Sequence, residues 1–387
     1  MNIKGNLRKI TELGISLTAI TLLALTGCGG GGDLGSATAA VVTTFAGISG
    51  SFDITDGASS VARFHNPNYF ATDGSNLYVT DNFNHNIRKI VIATGEVTTL
   101  AGSTAGSTGF GFFDGASAVA RFDTPNGIAV DGANNNLYVA DTNNNVIRQI
   151  NLTTGHVSTI AGSLAKLSGA SDAAGANAGF NGPTGMTRIG ATLYVSDFNS
   201  NTIRKIDISN LATASAVVST LAGTAGPSGY NDGVGSTSGN PTARFNNPTG
   251  LTNDGSSLYL TDNGNNDVRK VNPNSGLTTL VAGGNYQSPA SGVGSTDGSR
   301  DSARFTQPWG LATDGSYLYV ADTSNHTIRK ILIASGAVTT LAGTAGASGV
   351  ADGSGSNARF YFPNDVIYIK GVLYVADFGN GSIRKIK

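Results

Sequence analysis

Leu77-Tyr78-Val79-Thr80-Asp81, Ile87-Arg88-Lys89-Ile90 and Val97-Thr98-Thr99-Leu100-Ala101-Gly102 form one copy of a pattern that recurs six times in 387 residues. Each copy opens on a Gly/Ser-rich stretch with Asp-Gly, followed by Ala-Arg-Phe-x-x-Pro or a near variant. The anchor aspartates Asp81, Asp141, Asp197, Asp262, Asp322 and Asp377 are 60, 56, 65, 60 and 55 residues apart. Repetition at a nearly fixed period dictates architecture before any element is assigned.

Each copy holds four short runs rich in β-branched and aromatic residues, bounded by Gly, Asn and Asp, which predicts four strands. The first follows the proline, as in Ile128-Ala129-Val130; the other three are the runs quoted above. Asp73-Gly74, Asp131-Gly132, Asp254-Gly255 and Asp314-Gly315 predict tight turns between first and second strands. Four-stranded units repeated about an axis make a β-propeller. Residues 41–47 read as a fourth strand with no unit before it, and 383–386 as a third strand with no fourth after it. Pairing them completes the last blade and removes an exposed edge. The expected fold is all-β: a six-bladed β-propeller of four-stranded antiparallel blades over 41–387, its N-terminal strand closing the last blade.

Tyr78 to His85 and Tyr319 to His326, both Tyr-Val-x-Asp-x-x-Asn-His, resemble NHL repeats, as do the Pro-x-Gly starts at Pro125, Pro183, Pro248 and Pro308. The resemblance covers residues 41–387, and NHL propellers are often six-bladed, in agreement with the count. The His position is Asn145, Asn201, Asn266 or Gly381 elsewhere, which fits a turn residue and not a catalytic histidine.

Lys4, Arg8 and Lys9 precede a mostly apolar segment, 10–25, that is short and interrupted for a membrane span. It ends in Leu25-Thr26-Gly27-Cys28, which resembles the lipobox of bacterial lipoproteins. The resemblance implies a signal peptide over 1–27, then a lipidated Cys28 with a Gly-rich tether over 28–40. The protein would be exported and held to the cell envelope, and to the membrane through its acyl chains only. Gly29 stands where an Asp would imply inner-membrane retention, so an outer-membrane site is expected if the source is Gram-negative. Cys28 is the only cysteine, which excludes an internal disulfide and a thiolate zinc site.

Formal net charge is −1 with Lys and Arg spread evenly, which argues against nucleic acid as a partner. Among 25 acidic residues only Glu12 and Glu96 are Glu; Asp is the acid that bonds to turn N–H groups. Arg88, Arg148, Arg204, Arg269, Arg329 and Arg384 each lie seven residues after an anchor Asp and read as partly buried ties that fix the turn. A second set, Arg63, Arg121, Arg244, Arg304 and Arg359, follows Asp56, Asp114, Asp232, Asp297 and Asp352. These pairs are expected to staple the long connections, whose Phe64, Phe122, Phe180, Phe245, Phe305 and Phe360 plug between blades. A constellation repeated sixfold is not an active site, because catalysis needs one asymmetric set. Asp141-x-Asn143-x-Asn145 offers alternating oxygens, but the Gly and Glu of an EF-hand loop are missing. The sequence holds no G-x-S-x-G, H-E-x-x-H or G-x-x-x-x-G-K-[ST].

Long connections and Asn-rich turns share one face, so binding is expected there. Departures from sixfold symmetry nominate Trp309, the only tryptophan, and Phe198 and Phe378, at a turn position otherwise Asn or Thr. Phe83, Tyr230 and Tyr286 join them from turns and loops, alongside Phe110, Phe112 and Phe113. Covering blade ends is the plainer role for any one of them. The residues favour a lipid-anchored envelope protein that binds another envelope protein or a glycan, with no cofactor, no metal and no nucleic acid. The alternative is a propeller lyase or hydrolase with a metal-assisted site at the central channel; no catalytic residue is nominated for it.

Overall fold

The computed structural model describes residues 40–387, apart from 166, 212–214, 237–238, 240 and 285–292. The signal segment with Cys28, and Tyr286, lie outside the described residues. Six antiparallel sheets contain the four strands of each repeat in chain order, as in Pro67–Thr72, Asn76–Asp81, Asn86–Val91 and Val97–Gly102. The inner strands are Pro67–Thr72, Pro125–Asp131, Pro183–Ile189, Pro248–Asn253, Pro308–Thr313 and Pro363–Ile369. Each packs on the next and the sixth packs on the first, which closes the ring of a six-bladed β-propeller. Closure uses the expected strand: Val41–Ala46 pairs with Ser382–Ile386, with Thr43 opposite Lys385.

The core lies between blades. Phe64 is fully buried among residues of the sixth and first blades, and Phe122 among those of the first and second. Arg88 lies 5.0 Å over the Phe64 ring. It donates to Asp81 at 2.8 Å, to Asp56 at 2.7 Å and to the Arg63 and Thr55 carbonyls. Arg88 and Asp81 side chains are wholly buried, where an unpaired charge would be costly. Burial pushes the Asp81 carboxyl up to about 6 against the pull of Arg88, so it stays ionised at neutral pH.

The second arginine set corrects the expected loop staple. Asp56, Asp114, Asp232, Asp297 and Asp352 pair with the anchor arginines, at 2.6–2.7 Å, and not with Arg63, Arg121, Arg244, Arg304 and Arg359. Those five arginines turn back onto carbonyls of their own loops, as Arg121 does on Ala118, Val119 and Ala120. The buried guanidinium has the greater need of a carboxylate, because it has no water to fall back on. Asp172 makes the sixth pair, 2.8 Å from Arg204, in the repeat where Gly179 replaces the second arginine.

A longer period overlies the sixfold one. Asp81 and Asp262, Asp141 and Asp322, and Asp197 and Asp377 are separated by 181, 181 and 180 residues. Residues 41–47, VVTTFAG, match 217–223, VVSTLAG. The third and sixth blades each gain a fifth strand, Ala173–Ala174 and Gly353–Ser354. The position after the anchor reads Asn82, Thr142, Phe198 and then Asn263, Thr323, Phe378. The ring is two three-blade halves, and each half begins with an outer strand that completes the last blade of the other.

Candidate binding site at the axial mouth

The site begins with proline. It opens each inner strand, and the two residues after it turn toward the axis. At the second of these, Gly127, Gly185, Gly250 and Gly310 run against the next strand. A Cβ there would lie 2.0 Å from the Thr184 carbonyl, 2.0 Å from that of Thr249, 2.3 Å from that of Trp309 and 2.1 Å from Asp365 Oδ1. Tyr69 and Asp365 stand in place of glycine in the first and sixth blades.

This constricted level lies between two cavities that share no lining residue among those described. One, of about 340 Å³, is lined by all six inner strands and opens toward the tight-turn face. The other, of about 390 Å³, is the mouth on the long-loop face. Its walls include Asn68, Asn82, Asn126, Trp309, Asn364 and Phe378.

The mouth is held by a girdle of amides and hydroxyls. Asn364 Nδ2 donates to Asn68 Oδ1 at 3.2 Å, Asn68 donates to Asn126, and Asn126 Nδ2 donates to Thr142 Oγ1 at 2.8 Å. Asn82, Thr142, Asn263 and Thr323 each donate to the proline carbonyl of the next blade, at 3.1, 2.7, 3.1 and 2.7 Å. Phe198 and Phe378 have no donor to offer there. Asn247 and Asn66 donate instead to the Phe198 and Phe378 carbonyls, at 3.3 and 3.1 Å. The girdle is therefore replaced by aromatic rings at two opposite joints.

One turn further out, His85, Asn201, Asn266 and His326 sit at φ 54°, 57°, 58° and 60°. Each side chain accepts from the backbone N–H just before the next proline, at 3.0, 2.8, 2.8 and 3.1 Å. His and Asn are interchangeable here because both tolerate the left-handed region and both can accept. The histidines act as neutral turn acceptors, and burial lowers the pKa of both.

Asp365 is fully buried and its Oδ2 accepts from the Phe70 N–H at 3.0 Å. Burial holds its carboxyl well above the ordinary range, against the help of that bond and one from Val366. The Tyr69 phenol is likewise raised, by burial and then by Asp365, while the Trp309 indole opposes the shift. Neither the Tyr69 hydroxyl nor the Trp309 indole N–H completes a hydrogen bond among the described residues.

Of the aromatic residues nominated by sequence, Trp309 and Phe378 line the mouth. Phe198 supports Trp309 with its ring 6.2 Å away. Phe83 lies 6.4 Å from Phe378 and is nearly half exposed, on the rim. Tyr230 is in a long loop and is not among the residues of the mouth. Sequence reasoning missed Asn68, Asn126, Asn364, Tyr69 and Asp365. The signal was present: Pro-x-Gly fails at Pro67 and Pro363. The Asn-rich turn at Asp141 has its acid oxygens taken by donors: the Asp123 N–H at 2.8 Å, Asn144 at 2.9 Å and Arg148 at 2.7 Å. Among the described residues no three His, Cys, Asp or Glu converge as metal ligands.

Residues 122–150, from the second blade, match the NHL repeat family. The chain is 28% identical over 290 residues to Protein SUPPRESSOR OF QUENCHING 1, chloroplastic, of Arabidopsis thaliana, and 28% over 304 residues to NHL repeat-containing protein 2 of Homo sapiens. Each match covers 71% of this chain, but only 26% of the plant protein and 40% of the human one. An auxiliary nutrient binding protein from Bacteroides thetaiotaomicron superposes with a TM-score of 0.64 at 17% identity, over 90% of this chain and 76% of that one. The second blade thus matches the NHL repeat, within a chain that folds as a six-bladed β-propeller.

Proposed function

We propose that this chain is a binding protein of the cell envelope, tethered by a lipid on Cys28, whose ligand seats at the axial mouth of the long-loop face. The observation that carries the reading is the asymmetry of the mouth. Around a ring whose ties repeat six times, the mouth is lined by Trp309, where no other blade has an aromatic ring, and by Phe378, where four blades have Asn or Thr. A cavity of about 390 Å³ falls in the range of small-molecule pockets, about 300–1,000 Å³. The auxiliary nutrient binding protein of similar fold is in keeping with the reading. The test is retention of fractionated envelope material by the immobilised protein. Trp309→Ala/Phe378→Ala should lose what the unaltered chain retains, with circular dichroism unchanged. Equal retention by both proteins would remove the mouth as the binding site.

A further inference from the structure

We propose that the mouth admits the end of a neutral saccharide, an assignment that rests on reading the long-loop face as the binding face. Among the described residues the lining carries no charged side chain; it is Asn, Gln, Ser, Thr, Trp and Phe. An ionic ligand would give up its hydration there without a counter-charge. Asn68, Asn126 and Asn364 each commit one amide N–H to the girdle and keep the second, side by side on the mouth, which suits the oxygens of vicinal hydroxyls. Trp309, Phe378 and Phe362 add flat apolar faces for the C–H face of a sugar ring.

Two further observations point to a ligand. The Trp309 indole N–H, on the wall of the mouth, is buried without a completed hydrogen bond among the described residues. Buried polar groups are nearly always satisfied, so this N–H marks where an added hydroxyl gains most. The two halves of the ring also diverge here. Aligned on their prolines, Asn68 faces Thr249, Tyr69 faces Gly250, Asn126 faces Trp309, and Gly185 faces Asp365, while the positions after the anchors are kept as Asn, Thr and Phe in both. The scaffold retains its twofold pattern and the inner mouth has lost it, as an asymmetric ligand requires.

Trp309 is the only tryptophan, so intrinsic fluorescence reports on this cavity alone. The full chain is titrated with maltotriose, cellotriose and xylotriose as neutral probes, with trigalacturonate as an acidic one and with adenosine as a flat heterocycle. A saturable shift with a neutral trisaccharide, unaltered by salt, is expected. Asn126→Asp should weaken it about tenfold or more, the equivalent of one lost hydrogen bond plus a stranded charge. Phe378→Leu, which leaves the girdle alone, should weaken it also. A shift with trigalacturonate or adenosine only would overturn the saccharide and leave the mouth as a site. Silence toward every probe would overturn both.

Discussion

Asp365 shows how one residue can depart from the repeat without unfolding it. Four blades have glycine at its position because the strands leave no room for a Cβ; in the sixth blade a carboxyl fits because Gly310 faces it. It is buried, and burial holds its folded pKa above the ordinary 3.8. The stability it allows is complete below that value and is lost as pH rises, because the unfolded chain gains by ionising. Asp365→Asn is therefore expected to leave Tm unchanged near pH 4 and to raise it by about 2 °C or more at pH 8. Thermal scans across pH read this directly; a uniform effect at both pH values would show that the carboxyl is ionised in the fold. The turn aspartates behave oppositely. Partial burial pushes Asp254 up, but bonds from Ser256, Ser257 and Tyr259 outweigh it and bring it down to about 2. Asp254→Asn should blunt the loss of Tm between about pH 4 and pH 2, since the contribution of that carboxylate disappears as it is protonated. Removing a buried tie is far more costly. Arg204→Ala strands the fully buried Asp197 and should cost about 3–5 kcal/mol in denaturant unfolding.

At the scale of the element, the inner strand was legible in part. Proline, the Asp-Gly turns and alternating Val, Ile and Tyr placed the four strands of each blade, because strand period and turn chemistry are local; the two-residue fifth strands at Ala173–Ala174 and Gly353–Ser354 were not foreseen. The lining of the mouth was less legible, since it depends on which residues of six separate strands meet at one level. The aromatic nominations reached Trp309 and Phe378 because a single tryptophan and a ring at an Asn/Thr turn position are conspicuous. Asn68, Asn126 and Asn364 went unnominated, since an Asn after a proline is common to three of the six repeats. The loop staple failed for a related reason: equal spacing linked Asp56 to Arg63, whereas burial gave Asp56 to Arg88. Gly185→Ala checks the constriction. Its Cβ would meet the Thr249 carbonyl at 2.0 Å, so overpacking is expected to cost about 1–3 kcal/mol. Gly74→Ala, with open space around it, should cost less, arising from its φ of +88° alone.

The whole molecule is a ring without a disulfide, and two equivalent outer strands mark the ends of its two halves. Val41–Ala46 completes the sixth blade and Val217–Gly223 completes the third. The closure by Val41–Ala46 was legible from the unmatched runs at the two ends of the repeat array; the half-ring division at Val217–Gly223 was not, because that strand pairs with its neighbour in the chain like any ordinary outer strand. Fragments 41–208 and 209–387 each lack the outer strand of their last blade and expose an edge. Mixed, they are expected to form a one-to-one complex with native circular dichroism, and apart to aggregate. A folded monomer from either fragment alone would contradict the two-half architecture. The central claim is that the inner mouth, where both symmetries fail, is where this ring meets its ligand. Hydrogen exchange of the full chain, with and without a retained envelope fraction, tests it most directly. Slowed exchange is expected in peptides covering 65–70, 123–127, 306–310 and 361–365, with the tight turns at 73–75 and 93–96 unchanged. Protection confined to the tight-turn face or the outer strands would contradict it.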